Sequence, residues 1–384
     1  MEFDDHKNVG QVVEEDRLSG LPDDLIHKIF SSFDIKFVVQ TSLLSSRCKL
    51  LWTSMPYLNF STDHFPDLQK FEEFASHVMS HRNHQSEVSS AKLDFHGEVN
   101  LDFLKKIASY ALSHKVQYLT IDGVRDDCPP CLFRSQSLKQ FTLNCKKFLV
   151  SGDHFSKCVN LKNLTLKHFH HGMGREEVFD LITPRLSNLT LIKGHYATIN
   201  VIAPQLENLT IIKCGIKYIN APLGLSSFCY RDCGVLQFLN DPFHSLNKVT
   251  IVLYLSWLPY TKEDARKSIS MLQKLHSAKH VTLEWQVAEC ISSFPDLFSH
   301  HPSPFRNLIC LTIDCSRRNN VAYEVQMSTE AKNLFLENSP NAKFIMEVPE
   351  HGNVTYSSPA KLTPALPLRP QVAISNFRLS FDTD

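Results

Sequence analysis

Short segments in which apolar and polar residues alternate recur along most of the chain. The clearest copies are LKNLTL from residue 161, LSNLTL from residue 186 and LENLTI from residue 206. Alternation with period two predicts a β-strand with one buried face. An interval of about 19 to 25 residues, widening to about 30 near the last copies, predicts a solenoid whose strands pair in parallel. Further copies begin at residues 88, 116, 138, 225, 246, 278 and 308.

Each copy assigns its side chains to two faces. In the copy from residue 161, Leu164 and Leu166 belong to the core, whereas Asn163 and Thr165 face outward. Threonine recurs at the position of Thr165, and because a β-branched residue suits a half-exposed strand, this column needs no functional explanation. Its predicted members are Thr120, Thr142, Thr165, Thr190, Thr210, Thr250, Thr282 and Thr312.

The segments between the predicted strands are of two kinds. Residues 196–204 and 216–222 are rich in β-branched residues and end at proline, which favours extended backbone. Residues 101–113, 262–277 and 328–339 carry apolar residues at helical spacing. We therefore predict an α/β fold: an irregular leucine-rich-repeat solenoid with a parallel concave sheet and a mixed helical and extended convex side.

Residues 16–60 follow a different pattern, which predicts a small all-α unit of three helices. A helix of about ten residues should start at Pro22, with apolar positions at Leu25, Ile26, Ile29, Phe30 and Phe33. Further helices are predicted over 35–40 and 42–52. A unit this small is near the lower size limit for independent folding, so part of its apolar surface is predicted to be shared with a partner.

This N-terminal unit resembles the F-box, and its continuation into irregular repeats resembles plant F-box proteins with leucine-rich repeats, including the F-box/FBD/LRR proteins. The resemblance implies a substrate-recognition subunit of an SCF-type cullin ubiquitin ligase, which binds a Skp-type adaptor through the F-box and a target protein through the repeats. Such a receptor performs no bond chemistry. The adaptor-binding residues that the resemblance implies are Leu21, Pro22, Leu25, Ile29, Phe30, Leu43 and Trp52.

The chain departs from the family pattern in the third predicted helix. Cys48 stands where a tryptophan is usual, and Ser46 replaces a customary basic residue. These departures leave an alternative open, namely a ligase-independent leucine-rich-repeat interaction scaffold with a degenerate F-box.

The outward positions at the ends of the predicted strands are the expected target-binding surface. Three of them, Ile192, Ile212 and Val252, are apolar where a solvated sheet would favour polar residues, which indicates a covered or occupied patch. The complete predicted set is Lys167, Ile192, Ile212, Arg231, Val252, Glu284 and Asp314.

Composition narrows the remaining function classes. Lys+Arg and Asp+Glu both number 40, so the net charge is zero and does not favour nucleic-acid or membrane partners. The polar N-terminal residues do not resemble a secretory signal, and the 11 cysteines show no disulfide framework, so we expect a location in the nucleus, the cytoplasm or both. The CPPC segment at 128–131 is interpreted as a stiff turn. Without phosphate-loop or nucleophile motifs, we predict no catalytic residue, metal or cofactor.

The Asn-Leu-Thr triplets at Asn163, Asn188 and Asn208 are formal glycan acceptors, but their spacing is the repeat period. We predict that all three are unglycosylated. The predicted organisation is a disordered N-terminus over 1–15, the F-box over 16–60, a helical linker over 61–87, the repeats over 88–347 and a proline-containing tail over 348–384.

Overall fold

The computed structural model describes residues 20–43, 47–125, 128–146, 154–169, 178–240, 243–254, 259–316 and 327–347. The predicted disordered N-terminus and the predicted tail lie outside these residues. Within them, helices gather at the two ends of the chain and strands occupy the middle. The α-helices are α1 (Asp23–Phe30), α2 (Ile35–Gln40), α3 (Cys48–Leu51), α4 (Leu68–His81), α5 (Leu101–Ser113), α6 (Lys262–Lys274), α7 (Trp285–Ser292) and α8 (Thr329–Leu336).

The first two helices form where the sequence predicts them. The carbonyl of Pro22 accepts from the N–H groups of Leu25 and Ile26, which starts α1. The Asp34 carboxylate accepts from the Lys36 N–H at 2.8 Å and caps α2.

The third predicted helix is shorter than expected. The described part is α3 with single 3₁₀ turns at Thr41–Leu43 and Trp52–Ser54. On either side of this segment, the Thr41 and Thr53 hydroxyls donate to the carbonyls of Val38 and Leu50 at 2.6 Å.

The repeat strands form one parallel sheet of twelve strands, called the main sheet, which confirms the predicted fold class. All ten predicted copies are strands in it. In sheet order its members are β1 (Tyr57–Ser61), β2 (Ser90–Asp94), β3 (Tyr118–Val124), β4 (Gln140–Cys145), β5 (Asn163–Lys167), β7 (Asn188–Ile192), β9 (Asn208–Ile212), β11 (Ser227–Asp232), β13 (Lys248–Leu253), β14 (His280–Glu284), β15 (Cys310–Asp314) and β16 (Lys343–Glu347).

The connections between these strands are mixed, as predicted. Helices α5, α6, α7 and α8 join the outer strands, whereas the central connections contain a second parallel sheet of four short strands. The predicted extended segments at 196–204 and 216–222 contribute its two middle strands. Its members are β6 (Val178–Ile182), β8 (Thr198–Ile202), β10 (Tyr218–Asn220) and β12 (Gln237–Phe238).

One boundary and one helix differ from the prediction. The main sheet begins at β1, inside the segment assigned to the F-box and well before residue 88, because β1 pairs in parallel with β2. The helix α7 was not predicted. It follows β14 directly, and the residue before it, Glu284, makes no side-chain capping bond that would have indicated a helix start.

The repeat register stacks equivalent residues across the main sheet. Leu164, Leu189 and Leu209 are aligned on β5, β7 and β9 and are each only 1% exposed. The threonine column is also in register, with Cys229 filling the position on β11 between Thr210 and Thr250. One apolar core therefore runs along the solenoid, and the threonines lie on the opposite face, called the open face.

The F-box helices attach to the free edge of the main sheet through polar contacts with β1. The Asp34 carboxylate also accepts from the Ser61 N–H at 2.7 Å, and the Asn59 amide donates to the carbonyls of Ser31 and Phe33 at 2.7 and 3.0 Å. Burial raises the pKa of Asp34, although its two backbone hydrogen bonds oppose this shift. These contacts fix the helical unit to the first strand of the solenoid.

Candidate partner-binding surfaces

Large apolar side chains are exposed on the helical unit. The four elements that carry them are packed together: the His27 imidazole of α1 bonds the Leu51 carbonyl at 3.1 Å, and the turn at Thr41–Leu43 contacts α2 and α3. Six of the fifteen exposed large apolar residues of the described chain fall between residues 25 and 50. We call this set the F-box apolar surface: Leu25, Ile29, Phe33, Phe37, Leu43 and Leu50.

The predicted adaptor-binding residues are divided between this surface and the core. Leu25 and Ile29 are 49% and 43% exposed, Leu43 is 88% exposed, and Pro22 is also exposed. Leu21 and Trp52 are partly buried against the core. The structure contradicts the predicted role of Phe30 in adaptor binding. Phe30 is 6% exposed and belongs to the core, so its side chain is not available to a partner.

The reason for the Phe30 correction lies in helix geometry. Ile26 and Phe30 form one i,i+4 row of α1, and Leu25 and Ile29 form the adjacent row, which Phe33 continues. Only the first row is buried. The sequence showed that this apolar stripe is wider than one core contact requires, but not which row faces inward.

Sequence reasoning missed three members of the F-box apolar surface. Phe33 was placed in the apolar stripe of α1 but not in the predicted site, and Phe37 and Leu50 were not singled out. The Phe37 ring lies edge-on to His64, with ring centroids 4.7 Å apart, and the side chain is 42% exposed. An excess of apolar residues over the number that a unit of this size can bury was the available signal.

The predicted target-binding positions form a row at the ends of the main-sheet strands. On β5, β7, β9, β11 and β13, Lys167, Ile192, Ile212, Arg231 and Val252 are consecutive register partners. The first four are half-buried and remain accessible from the open face, and so is the more distant predicted residue on β15, Asp314.

Two predicted target-binding residues are buried and need correction. Val252 is 3% exposed and Glu284 is 5% exposed. The period-two alternation fails here because α7 follows β14 without a loop and packs against β13 and β14. The candidate target row is therefore Lys167, Ile192, Ile212 and Arg231.

The asparagines of the three formal glycan acceptors form a ladder beside the threonine column. The Asn188 amide donates to the Asn163 side-chain oxygen at 2.6 Å, and the Asn208 amide donates to the Asn188 oxygen at 2.6 Å. All three are half-buried. A glycan on Asn188 or Asn208 would replace one of the two amide hydrogens and place a bulky group beside the ladder, which supports the prediction that the triplets mark the repeat.

Replacing Asn188 with aspartate should lower the free energy of unfolding by about 1 kcal/mol, because the new carboxylate still accepts from Asn208 but cannot donate to Asn163. Urea denaturation measures the change. Asn163→Asp is the matched control, since its oxygen can still accept from Asn188, and it should change stability less. Equal effects of both substitutions would contradict a role for the ladder.

Other candidate chemistry of the described residues is limited. Burial raises the pKa of the Cys158 thiol to about 11 and that of Cys214 and Cys290 to about 12, so these thiols stay protonated. In the described part of the chain, no group of three or more metal-ligating side chains is placed to hold an ion. Among the same residues, no helix combines the length and apolarity needed to cross a membrane.

The helical unit with its exposed apolar side chains can be compared with known domains. Residues 18–60 match the F-box domain, and the following sheet has the repeat pattern described above. The chain therefore contains an F-box domain followed by leucine-rich repeats. The matched region contains α1, α2, α3 and most of β1.

The chain is also similar to F-box/FBD/LRR-repeat proteins of Arabidopsis thaliana. One is 34% identical over 135 residues, covering 33% of this chain and 27% of that protein. A second is 29% identical over 188 residues, covering 47% and 40%. A third is 27% identical over 197 residues, covering 49% and 45%. This chain thus spans less than half the length of these curated relatives.

Proposed function

We propose that this protein is the substrate-recognition subunit of an SCF-type cullin ubiquitin ligase. The F-box apolar surface is the observation that carries the proposal. An exposed group of leucine, isoleucine and phenylalanine side chains on a domain of about 45 residues is typical of a protein interface. A Skp-type adaptor is the partner proposed for it, and a cullin is reached through that adaptor.

The proposed mechanism is scaffolding. The F-box holds the adaptor, the target row of the main sheet holds a target protein, and the receptor raises the concentration of the target near a ubiquitin-charged enzyme. The contacts of Asp34 and Asn59 with β1 and the F-box helices keep the two binding surfaces in a fixed relation. No catalytic residue is assigned to the chain.

The experiment is co-purification of a Skp-type adaptor with the full chain. Leu25→Asp and Ile29→Asp should each weaken adaptor binding by about a hundredfold, because each places a carboxylate in an apolar interface and removes its buried area. Lys28→Asp is the control, since it places the same carboxylate at an exposed site on the same helix, with a larger change in net charge, and should change binding much less.

A native chain that recovers no more adaptor than the Leu25→Asp variant would exclude the ligase role. That result would favour the ligase-independent scaffold with a degenerate F-box. Ser46 and the side chain of Cys48, which distinguish this chain from the family pattern, lie outside what the structure describes. The proposed location is the nucleus, the cytoplasm or both, supported by a cysteine spacing that shows no disulfide framework, and a fluorescent fusion would test it.

A further inference from the structure

A row of basic residues follows the central strands of the main sheet. Lys146, His168, Lys193 and Lys213 are each the first residue after β4, β5, β7 and β9. These four strands are neighbours in the sheet, and parallel strands lie about 4.8 Å apart. Together with His195, the four residues line an open cavity of about 380 Å³, which we call the strand-end pocket.

The backbone at three of these positions is fixed in an unusual conformation. His168, Lys193 and Lys213 have φ values of 55°, 53° and 52°, in the left-handed region where glycine or asparagine is favoured. Their N–H groups donate to the carbonyls of Ile192, Ile212 and Arg231 at 2.7 to 2.9 Å. These backbone hydrogen bonds explain the left-handed conformation, but they do not require basic side chains at the three positions.

The imidazole of His168 is held by a side-chain relay across three strands. Its Nδ1 lies 2.8 Å from the Asn144 side-chain oxygen, and the Asn144 amide donates to the Asp122 carboxylate at 2.6 Å. Because the Asn144 amide is turned towards Asp122, its oxygen must accept from His168, which assigns a proton to Nδ1. The other ring nitrogen, Nε2, is then available to a ligand.

The charges around the strand-end pocket are predominantly positive among the described residues. Burial, followed by the charges of Lys193 and Lys146, lowers the pKa of His168, and Asp122 only partly opposes this shift. The Asp122 carboxylate lies 3.5 Å from the Lys167 Nζ, so it is shared with a lysine outside the pocket. Like charges on neighbouring strands repel, and an anion in the pocket would relieve that repulsion.

We propose that the strand-end pocket binds a phosphoryl group carried by the target protein. A phosphoryl group has close to two negative charges at neutral pH and three acceptor oxygens, which suits several lysines and an imidazole better than a single carboxylate does. The identity of the ligand as a target segment rests on the proposed function.

Two neighbouring features support a bound protein segment. The pocket is one residue beyond the target row, because His168 follows Lys167 and Lys193 follows Ile192. A second depression of about 250 Å³ shares Lys146 and His168 with it and continues towards β2 and β3. An extended segment could therefore place its phosphoryl group in the pocket and its apolar side chains on the target row.

The test uses the full chain and two peptides, one with a central phosphoserine flanked by alanines and one with serine instead. The phosphopeptide should bind at least about tenfold more tightly, and added salt should weaken its binding. Lys193→Asn and Lys213→Asn remove the charges while keeping a residue that tolerates positive φ, and together they should abolish the difference. Lys162→Asn is the matched control, because Lys162 is exposed and precedes β5, at the opposite end of this strand from the pocket.

A second readout is the titration of His168 by NMR, assigned with a His168→Gln variant. A bound anion should raise its pKa, so His168 should titrate at higher pH with the phosphopeptide than without it. Equal binding of the two peptides, or equal weakening by Lys162→Asn, would overturn the proposal. Adaptor co-purification on the same samples separates the two questions: its loss with intact phosphopeptide binding would count against the ligase role alone.

Discussion

Replacing Arg82 with alanine should lower the free energy of unfolding by about 4 kcal/mol. The side chain is 1% exposed, and its guanidinium donates to the Met55 carbonyl through Nε at 3.2 Å and Nη2 at 2.6 Å. It also donates to the carbonyls of Ser86 and Glu87 at 3.2 and 3.1 Å. Truncation leaves the buried Met55 carbonyl and two partly buried carbonyls without their donor, and the loss of a buried hydrogen bond costs about 1 to 3 kcal/mol.

Urea denaturation followed by tryptophan fluorescence measures this loss. Arg82→Lys should be intermediate, because a single ammonium cannot reproduce the fork of donors. Arg134→Ala, at an exposed position, is the control and should stay within about 0.5 kcal/mol of the native chain. A loss at Arg82 no larger than that of the control would mean that these bonds do not hold the fold together.

The position of Arg82 gives this loss a functional meaning. Met55 ends the F-box helices, Arg82 follows α4, and Glu87 precedes β2, so one side chain joins the F-box to the repeats. The Tyr110 hydroxyl, which lies 3.4 Å from Nη1, adds α5 to the same contact. The alanine variant should therefore be cleaved more readily by protease between α4 and β2 than the native chain.

Sequence predicted the repeats well because one local signal determines them. A strand with one buried face must alternate, and the period shows which strands are equivalent, so each predicted copy corresponds to a strand of the main sheet. The strands β6 and β12 were not predicted, since their few residues carry no repeated pattern. The helix α7 was missed because it starts directly after a strand without a capping residue.

The functional surfaces were harder to predict because they depend on contacts between distant segments. Arg82 is a charged residue in a polar segment, and its burial requires carbonyls from residues 55, 86 and 87. Phe30 and Ile29 are adjacent and both apolar, yet only the packing of α1 decides which is covered. Likewise, Lys193 and Lys213 form a pocket only after their strands pair.

Aromatic packing forms the apolar part of the same junction between the F-box and the repeats. Phe71 of α4 is fully buried, and its ring centroid lies 5.4 Å from Phe65 and 6.4 Å from Phe60 of β1. On the repeat side, it lies 6.1 Å from Phe95, after β2, and 5.7 Å from Phe103 of α5. Phe71 thus contacts rings from both sides of the junction.

Phe71→Ala should lower the free energy of unfolding by about 4 kcal/mol, because it removes the transfer energy of the ring and opens a cavity among four other rings. Phe335→Ala is the matched control: Phe335 is equally buried but lies in α8, at the other end of the repeats. Both variants should unfold at lower urea concentration. Only Phe71→Ala should also expose the junction to protease and weaken adaptor binding, since the F-box depends on the first repeats for its support. If Phe335→Ala reduced adaptor binding as strongly, the effect would reflect general destabilisation, and the junction would have no special part in presenting the F-box.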